Sequence, residues 1–187
     1  MQLIPVLEIG ILNAWIFSVI FFLLPFPIML FNKESFKKGS NPPDLNKKGK
    51  VISYIATIII YIAYLYSIFL PFKLGTAWFY TGLVIFLLAI VLLIIAIINF
   101  MTTPIDKVVT KGIYHYSRHP IYLSNFVALI GIGIASASWV ILLVAIIFFI
   151  LANIDTGYEE RYCKEKYGGK YKEYFGKTPK WIGMPKS

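Results

Sequence analysis

The sequence predicts an all-α protein that crosses a membrane several times. Of its 187 residues, 58% are hydrophobic and only 14% are charged, and the mean hydropathy is +0.73. Four stretches contain no charged residue: 9–32, 51–72, 74–105 and 120–154. Each could hold a helix of about 20 residues, the length that crosses about 30 Å of hydrocarbon. Helices are expected because a backbone in lipid must satisfy its own hydrogen bonds.

Five membrane helices are expected in the four uncharged stretches. The last stretch is 35 residues long, too long for one span and slightly short for two. Its small polar run Ser136-Ala137-Ser138 predicts a turn, with Trp139 near the membrane interface, and hence a tight helical hairpin. The expected spans are about 9–31, 51–71, 76–101, 121–135 and 138–154.

The distribution of basic residues predicts the orientation. With five spans, 17 of the 18 Lys and Arg residues, all except Lys73, fall on one side of the membrane. They lie in the loop 33–50, in the segment 102–120 and in the tail 155–187. The positive-inside rule makes this side cytosolic and places the N-terminus outside. The formal net charge of +9 then indicates topology and attraction to anionic lipids. No nucleic-acid partner is expected, because no basic groove with base-reading groups is evident.

One membrane domain over residues 1–187 is expected, with two parts. Residues 1–75 contain the first two spans and the basic loop, and residues 76–187 contain the polar segments that could perform chemistry. No cleavable signal peptide is predicted, since the first basic residue, Lys33, follows the first apolar stretch. The single cysteine, Cys163, excludes an intramolecular disulfide.

The first polar segment runs from Asp106 to Tyr122. Pro120 suits the first turn of a helix, where its missing N–H costs nothing. Arg118 and His119 would then lie beside free backbone N–H groups, which favour a carboxylate or a phosphate. The alternative is an ordinary basic segment next to the membrane, with tyrosines at the interface.

The second polar segment begins at Asp155 and is expected to continue the fifth helix, break at Gly168-Gly169 and start a short second helix. Asp155 and Glu159 are four residues apart and share a helix face where the chain leaves the membrane. Carboxylates there are costly unless they contact a cation or a water-filled cavity. Four further charged residues are expected in surface i,i+4 pairs on the solvated face: Glu160, Lys164, Arg161 and Glu165.

Other patterns have structural explanations. Gly131 and Gly133 lie inside a membrane helix, where small residues favour helix packing. His115 and His119 are four residues apart but lack an acidic partner at metal-ligand spacing, so no metal site is predicted. The spans contain no ionised group, which argues against an ion pathway.

Both polar segments resemble the integral-membrane methyltransferases, which comprise the isoprenylcysteine carboxyl methyltransferases and the related phospholipid methyltransferases. The similar residues are Lys111-Gly-Ile-Tyr-His-Tyr-Ser-Arg-His-Pro-Ile-Tyr122, the hairpin, Glu159-Glu160 and Lys166-Tyr-Gly-Gly-Lys-Tyr-Lys-Glu-Tyr174, within residues 95–185. The resemblance implies methyl transfer from S-adenosyl-L-methionine to a lipid, or to a lipidated small molecule or peptide, drawn from the bilayer. The acceptor group would be an isoprenylcysteine-like carboxylate or a lipid amine head group. Residues 76–187 would then form the cofactor-binding methyltransferase core.

The resemblance also implies the site residues. Those matched to the cofactor are Asn99, Asp106, Lys107, Val108, Val109, Tyr114, His119, Pro120, Ile121, Tyr122 and Glu159. The catalytic candidates are Asp155, Glu159 and Arg118. Enzymes that act on prenylcysteine carboxylates tend to have an arginine four residues before the cofactor glutamate, where this chain has Asp155. An aspartate there would repel a carboxylate acceptor and favour a neutral or cationic one, such as an amine.

Two other functions fit parts of the sequence. The segment Tyr162-Cys-Lys-Glu-Lys-Tyr-Gly168 also resembles the tail of membrane sterol reductases, which use NADPH but generally have more than five spans. A non-catalytic membrane lipid-binding protein could have the same topology.

Overall fold

The computed structural model describes residues 7–30 and 45–186, and in these residues the secondary structure is helical, without strands. The helices are α1 (Trp15–Leu23), α2 (Phe26–Leu30), α3 (Lys47–Tyr66), α4 (Ala77–Met101), α5 (Pro120–Ala135), α6 (Trp139–Tyr167) and α7 (Gly169–Lys177). Short 3-10 turns lie at Ser67–Phe69 and Gly112–His115. The helices α3, α4 and α6 are long and apolar enough to cross a membrane, and Trp15–Ile28 and α5 are shorter apolar segments. The prediction of an all-α polytopic membrane protein is confirmed.

The N-terminal segment differs from the predicted span at about 9–31. The chain before α1 is not helical, and its backbone pairs with residues 69–72 after α3. The nitrogen of Ala14 donates to the carbonyl of Leu70 (2.8 Å), and the nitrogen of Phe72 donates to Leu12 (3.2 Å). The apolar segment is then divided between α1 and α2, because Pro25 lacks the N–H that a continuous helix needs. Residues 31–44, which include most of the predicted basic loop, lie outside the described residues.

The predicted hairpin is confirmed. Helix α5 ends at Ala135 and α6 begins at Trp139, with the predicted Ser-Ala-Ser turn between them. Ala137 adopts a left-handed conformation (φ 51°), which reverses the chain direction. The Ser138 hydroxyl accepts from the nitrogen of Ile141 (3.4 Å) and caps α6. Helix α6 then continues beyond the membrane to Tyr167, and α7 starts after the predicted break at Gly168.

Glycines allow α4 and α5 to pack backbone against backbone. A Cβ on Gly82 would overlap the backbone nitrogen of Ala135, and a Cβ on Gly131 would lie 2.8 Å from the backbone nitrogen of Phe86. Lipid is as apolar as leucine, so membrane helices associate through close contacts of this kind. The packing explanation for Gly131 is therefore confirmed.

Charged residues are concentrated at one end of the helix bundle. Helix α3 starts beside the end of the apolar part of α6, where Gly49 packs against the ring of Tyr158 and Ser53 donates to Asp155. Lys73 lies at the opposite end, and its backbone nitrogen donates to the carbonyl of Ala135 (3.0 Å). The predicted separation of Lys73 from the basic residues near α3 and α6 is thus present. That the basic end faces the cytosol stays a prediction.

The contact between α4 and α5 leads to a stability prediction. We expect Gly82→Val to lower the free energy of unfolding by about 3 kcal/mol, because the new side chain meets backbone that cannot rotate away. Titration with SDS in mixed micelles would measure this change. The control is Gly176→Ala in α7, where a Cβ meets no atom within 4 Å and stability should stay equal or rise slightly. Equal stability of Gly82→Val and the wild type would contradict the backbone contact.

Candidate active site

A cluster of acidic and hydroxyl side chains lies at the basic end, where α3, α5 and α6 meet. The Tyr122 hydroxyl on α5 lies 3.0 Å from Asp155 Oδ2 and 2.7 Å from Glu159 Oε1. On α3, the Ser53 hydroxyl donates to Asp155 Oδ1. Asp155 is 3% exposed, whereas the Glu159 side chain is 26% exposed. The predicted common face of Asp155 and Glu159 is confirmed.

A second cluster surrounds the neighbouring carboxylate, Glu160. Arg118 donates to Glu160 Oε1 from both Nε and an η nitrogen, at 2.8 Å each. His119 Nε2 lies 3.0 Å from the same oxygen. The remaining η nitrogen of Arg118 donates to the carbonyls of Phe175 (3.1 Å) and Thr178. The positive charge of Arg118 is therefore neutralised and hydrogen-bonded within the protein.

The expectation that Glu160 is a solvated surface residue is wrong. Glu160 is 7% exposed, because α7 folds back after Gly168 and covers this face of α6. Arg161 and Glu165 are exposed, as predicted, while the Lys164 ammonium lies over the Phe175 ring, 3.4 Å from its centroid. Helical spacing predicted that Glu160 pairs with Lys164. The structure pairs Glu160 with Arg118 instead, which lies 42 positions earlier in the sequence and has no carboxylate close to it in the sequence.

His119 connects the two carboxyl clusters. Burial lowers the pKa of His119, and the hydrogen bond and charge of Glu160 only partly oppose this effect. The imidazole is therefore neutral near pH 7, and Nε2 carries the hydrogen that Glu160 accepts. The other nitrogen, Nδ1, is 3.7 Å from Glu159 Oε2.

The segment after α7 closes the site from the side away from the membrane. The nitrogen of Arg118 donates to the carbonyl of Pro179 (3.0 Å), and the Lys180 ammonium donates to the carbonyl of Asn153 (2.7 Å). The Trp181 ring centroid lies 4.6 Å from that of Phe149 and 6.3 Å from that of His119. The sequence analysis did not predict that this segment belongs to the site. Its contacts are with residues about 60 and about 30 positions earlier in the chain, which local sequence patterns do not reveal.

A buried amide side chain, that of Asn99, lies at the end of α4. The side-chain nitrogen of Asn99 is buried and has no hydrogen-bond partner among the described residues. Gly112 adopts a positive φ of 58°, and a Cβ there would overlap the Asn99 amide. Nearby, Tyr114 is buried, and its carbonyl accepts from the Tyr174 hydroxyl (2.7 Å). Burial, assisted by Tyr174 and Glu159, raises the pKa of the Tyr114 phenol, so it stays neutral.

The remaining predicted cofactor residues lie in the loop after α4 and at the start of α5. Asp106 and Lys107 are exposed and Val108 and Val109 are half-buried in the loop between α4 and the 3-10 turn. This loop is attached to α6 by the Tyr167 hydroxyl, which donates to the carbonyl of Ile105 (3.3 Å). Pro120 is the first residue of α5, as predicted, and Ile121 follows it in the first turn.

Comparison with known families decides the relationship. Residues 74–170, just over half of the chain, match the family model described as phospholipid methyltransferase. The chain belongs to this family. The resemblance to the integral-membrane methyltransferases is confirmed, and the chain is a membrane methyltransferase by family. A search of curated proteins gives no significant match.

The phospholipid methyltransferase match covers α4, α5 and all of α6, and it ends at the start of α7. It includes Tyr122, Asp155 and both glutamates, but neither Ser53 on α3 nor the segment after α7. These two parts of the site therefore come from outside the matched region.

The Asn99 amide and the acidic cluster offer groups that complement S-adenosylmethionine, the cofactor that the family implies. The cofactor carries a sulfonium, an ammonium and a carboxylate, together with ribose hydroxyls and a purine. The unpaired Asn99 amide can donate to an acceptor atom, and the Glu159 carboxyl can meet positive charge or ribose hydroxyls. The Tyr114 ring can contact a cation through its face.

The Arg118–Glu160 pair leads to a second prediction. We expect Arg118→Ala to destabilise the protein by about 3 to 5 kcal/mol, because Glu160 is left as an unpaired buried charge. Hydrogen exchange should also increase at residues 175–183, which lose their attachment to Arg118. SDS titration and exchange mass spectrometry measure the two effects. The exposed neighbour Arg161→Ala should change stability by less than about 0.5 kcal/mol, and equal effects in the two variants would argue against a buried pair.

Proposed function

We propose that this membrane methyltransferase transfers a methyl group from S-adenosyl-L-methionine to an amphiphilic acceptor embedded in the membrane. The observation that carries this proposal is the acidic and aromatic cluster of Tyr122, Asp155 and Glu159 at the basic end of apolar helices. A lipid acceptor can reach that end from the bilayer, and a soluble cofactor can reach it from water. We further propose that the N-terminus lies outside and that the site and the C-terminus face the cytosol.

The charges around the cluster favour a lipid amine head group as the acceptor. A carboxylate acceptor would need a cation, but the nearby Arg118 donates to Glu160 and to two backbone carbonyls. Asp155 and Glu159 instead present two carboxyl groups, which attract an ammonium and disfavour a carboxylate. We therefore assign Arg118 to positioning of the site and Asp155 to selection of the acceptor.

The proposed cofactor contacts combine the residues around Asn99 with the acidic cluster. Asn99, Tyr114, His119 and Glu159 would hold the cofactor with side chains. The backbone of the start of α5 and the loop before the 3-10 turn would complete the site: Pro120, Ile121, Tyr122, Asp106, Lys107, Val108 and Val109. The cofactor, when bound, supplies an electrophilic methyl group on a positively charged sulfur. The protein orients the acceptor beside that methyl group and excludes water, which requires no metal ion.

Calorimetric titration tests this function. Detergent-purified protein should bind S-adenosylhomocysteine and S-adenosylmethionine saturably, and Glu159→Gln should weaken binding of S-adenosylmethionine at least tenfold, because the acidic contact to the sulfonium is lost. The matched control is Glu165→Gln, an exposed carboxylate on the same helix, which should bind like the wild type. NADPH is titrated in parallel. Binding of NADPH alone would support the reductase, and binding of neither would leave a non-catalytic lipid-binding protein.

A methylation assay tests the acceptor class. In nanodiscs that contain phosphatidylethanolamine, the protein should transfer label from methyl-labelled S-adenosylmethionine to the amine lipid. It should transfer at least tenfold less to a prenylcysteine carboxylate. Asp155→Asn should narrow this preference, because it removes the charge that repels the carboxylate. Carboxylate methylation that exceeds amine methylation and is unchanged in Asp155→Asn would overturn the assignment of Asp155.

A further inference from the structure

Hydrogen positions in the acidic cluster are restricted by simple counting. The Tyr122 hydroxyl has one hydrogen, yet its oxygen lies within hydrogen-bond distance of two carboxyl oxygens, 3.0 Å from Asp155 and 2.7 Å from Glu159. It can donate to only one of them at a time. If both carboxyl groups were ionised, the carboxylate oxygen that does not receive the Tyr122 hydrogen would face a lone pair of the Tyr122 oxygen at close range. A hydrogen on one of the two carboxyl groups removes this conflict.

His119 indicates which carboxyl group carries the hydrogen. Its Nε2 hydrogen is directed to Glu160, so the neutral ring presents a lone pair at Nδ1, 3.7 Å from Glu159 Oε2. An ionised Glu159 would therefore face lone pairs from both His119 and Tyr122. A neutral Glu159 can donate to the Tyr122 oxygen and places no full negative charge opposite the His119 lone pair.

Ser53 indicates that Asp155 is the ionised partner. The Ser53 hydroxyl donates to Asp155 Oδ1, and Tyr122 can donate to Oδ2, so the buried aspartate accepts two hydrogen bonds. Hydrogen bonds donated to a carboxylate stabilise its charged form. The whole cluster is satisfied when Glu159 donates to Tyr122, Tyr122 donates to Asp155, and Ser53 donates to the other oxygen of Asp155.

We propose that Ser53, Asp155 and Tyr122 keep Glu159 as a neutral acid in the empty site, and that Glu159 releases this proton when a sulfonium ligand binds beside it. This inference rests on the proposed function and adds a specificity-determining role to the cluster. The proton leaves the Glu159 carboxyl group for solvent, which its partly exposed side chain can reach. The resulting carboxylate then balances the charge of the ligand.

The groups around Glu159 come from every element packed on it. Helix α3 contributes Ser53, with its lysines exposed at the start of the helix. The remaining titratable or charged groups near the cluster are Tyr114, His119, Tyr122, Asp155, Glu160, which Arg118 neutralises, and Lys180, whose ammonium donates to the carbonyl of Asn153. Because Arg118 is committed to Glu160, Asp155 is the carboxylate linked most directly to Glu159, through the Tyr122 hydroxyl that both contact.

The cluster would distinguish the substrate cofactor from its product. S-adenosylmethionine has a positive sulfur and S-adenosylhomocysteine has a neutral one, so only the first is favoured by ionised Glu159. By linkage, the affinity for S-adenosylmethionine rises with pH as Glu159 loses its proton, by up to tenfold per pH unit. The affinity for the product S-adenosylhomocysteine should change much less with pH. Above the pH at which Glu159 loses its proton, replacement of the bound product by S-adenosylmethionine is therefore favoured.

Calorimetry in two buffers with different ionisation enthalpies, such as phosphate and Tris at pH 7, counts the released protons. We expect the wild type to release about 0.5 to 1 proton more on binding S-adenosylmethionine than on binding S-adenosylhomocysteine. Asp155→Asn should still bind S-adenosylmethionine, but this difference should fall to near zero. Without the charge of Asp155, the Tyr122 hydroxyl donates to Glu159, which is then already ionised.

The variants also separate the possible failures. Glu165→Gln, an exposed carboxylate of α6, should keep the proton difference of the wild type. A wild type that binds both ligands without a difference in proton release would overturn this inference and leave the methyltransferase function intact. The inference would also be overturned, with the methyltransferase function intact, if Asp155→Asn showed the same difference in proton release between the two ligands as the wild type. Failure of the wild type to bind either ligand would instead overturn the proposed function and this inference with it.

Discussion

The buried ion pair between Arg118 and Glu160 organises the polar end of this protein. Through one guanidinium, it joins α6, the segment before α5 and the segment after α7. Two buried charges are costly to remove from water, and their attraction compensates only when further hydrogen bonds satisfy both groups. Here Glu160 also accepts from His119, and Arg118 donates to two carbonyls. The position of His119 and the cover over the site both depend on this pair.

The adjacent glutamates perform different tasks because a helix points neighbouring residues in different directions. Glu160 faces α7 and Arg118, whereas Glu159 faces Tyr122 and Asp155 on the opposite flank of the same turn. The charge of Glu160 is thereby neutralised by Arg118, whereas Glu159 contacts the Tyr122 hydroxyl and not the Arg118 guanidinium. A structural charge and the proposed ligand-binding carboxyl group of Glu159 can lie side by side because Arg118 donates to Glu160.

Local sequence patterns predicted the features that depend on neighbouring residues. The Ser-Ala-Ser turn, Pro120 at the start of α5 and the break at Gly168 each follow from backbone chemistry that a few residues determine. The shared face of Asp155 and Glu159 follows from helical spacing. The burial of Glu160, the contact of Ser53 with Asp155 and the non-helical start of the chain depend on contacts across 42, 102 and about 60 positions. Spacing along one helix carries no information about such contacts.

The proposed binding of cations by the acidic cluster fits the location of this cluster. In the hydrocarbon interior an unpaired carboxylate is too costly, and in open water its attraction for a cation is weak. Asp155 and Glu159 follow directly after the apolar part of α6, beneath the cover that Arg118 holds in place. There the carboxyl groups are shielded from bulk water but remain next to solvent with which a proton can be exchanged. An amine head group at the membrane surface and a sulfonium cofactor from the aqueous phase would meet at this depth, where negative charge attracts them most effectively.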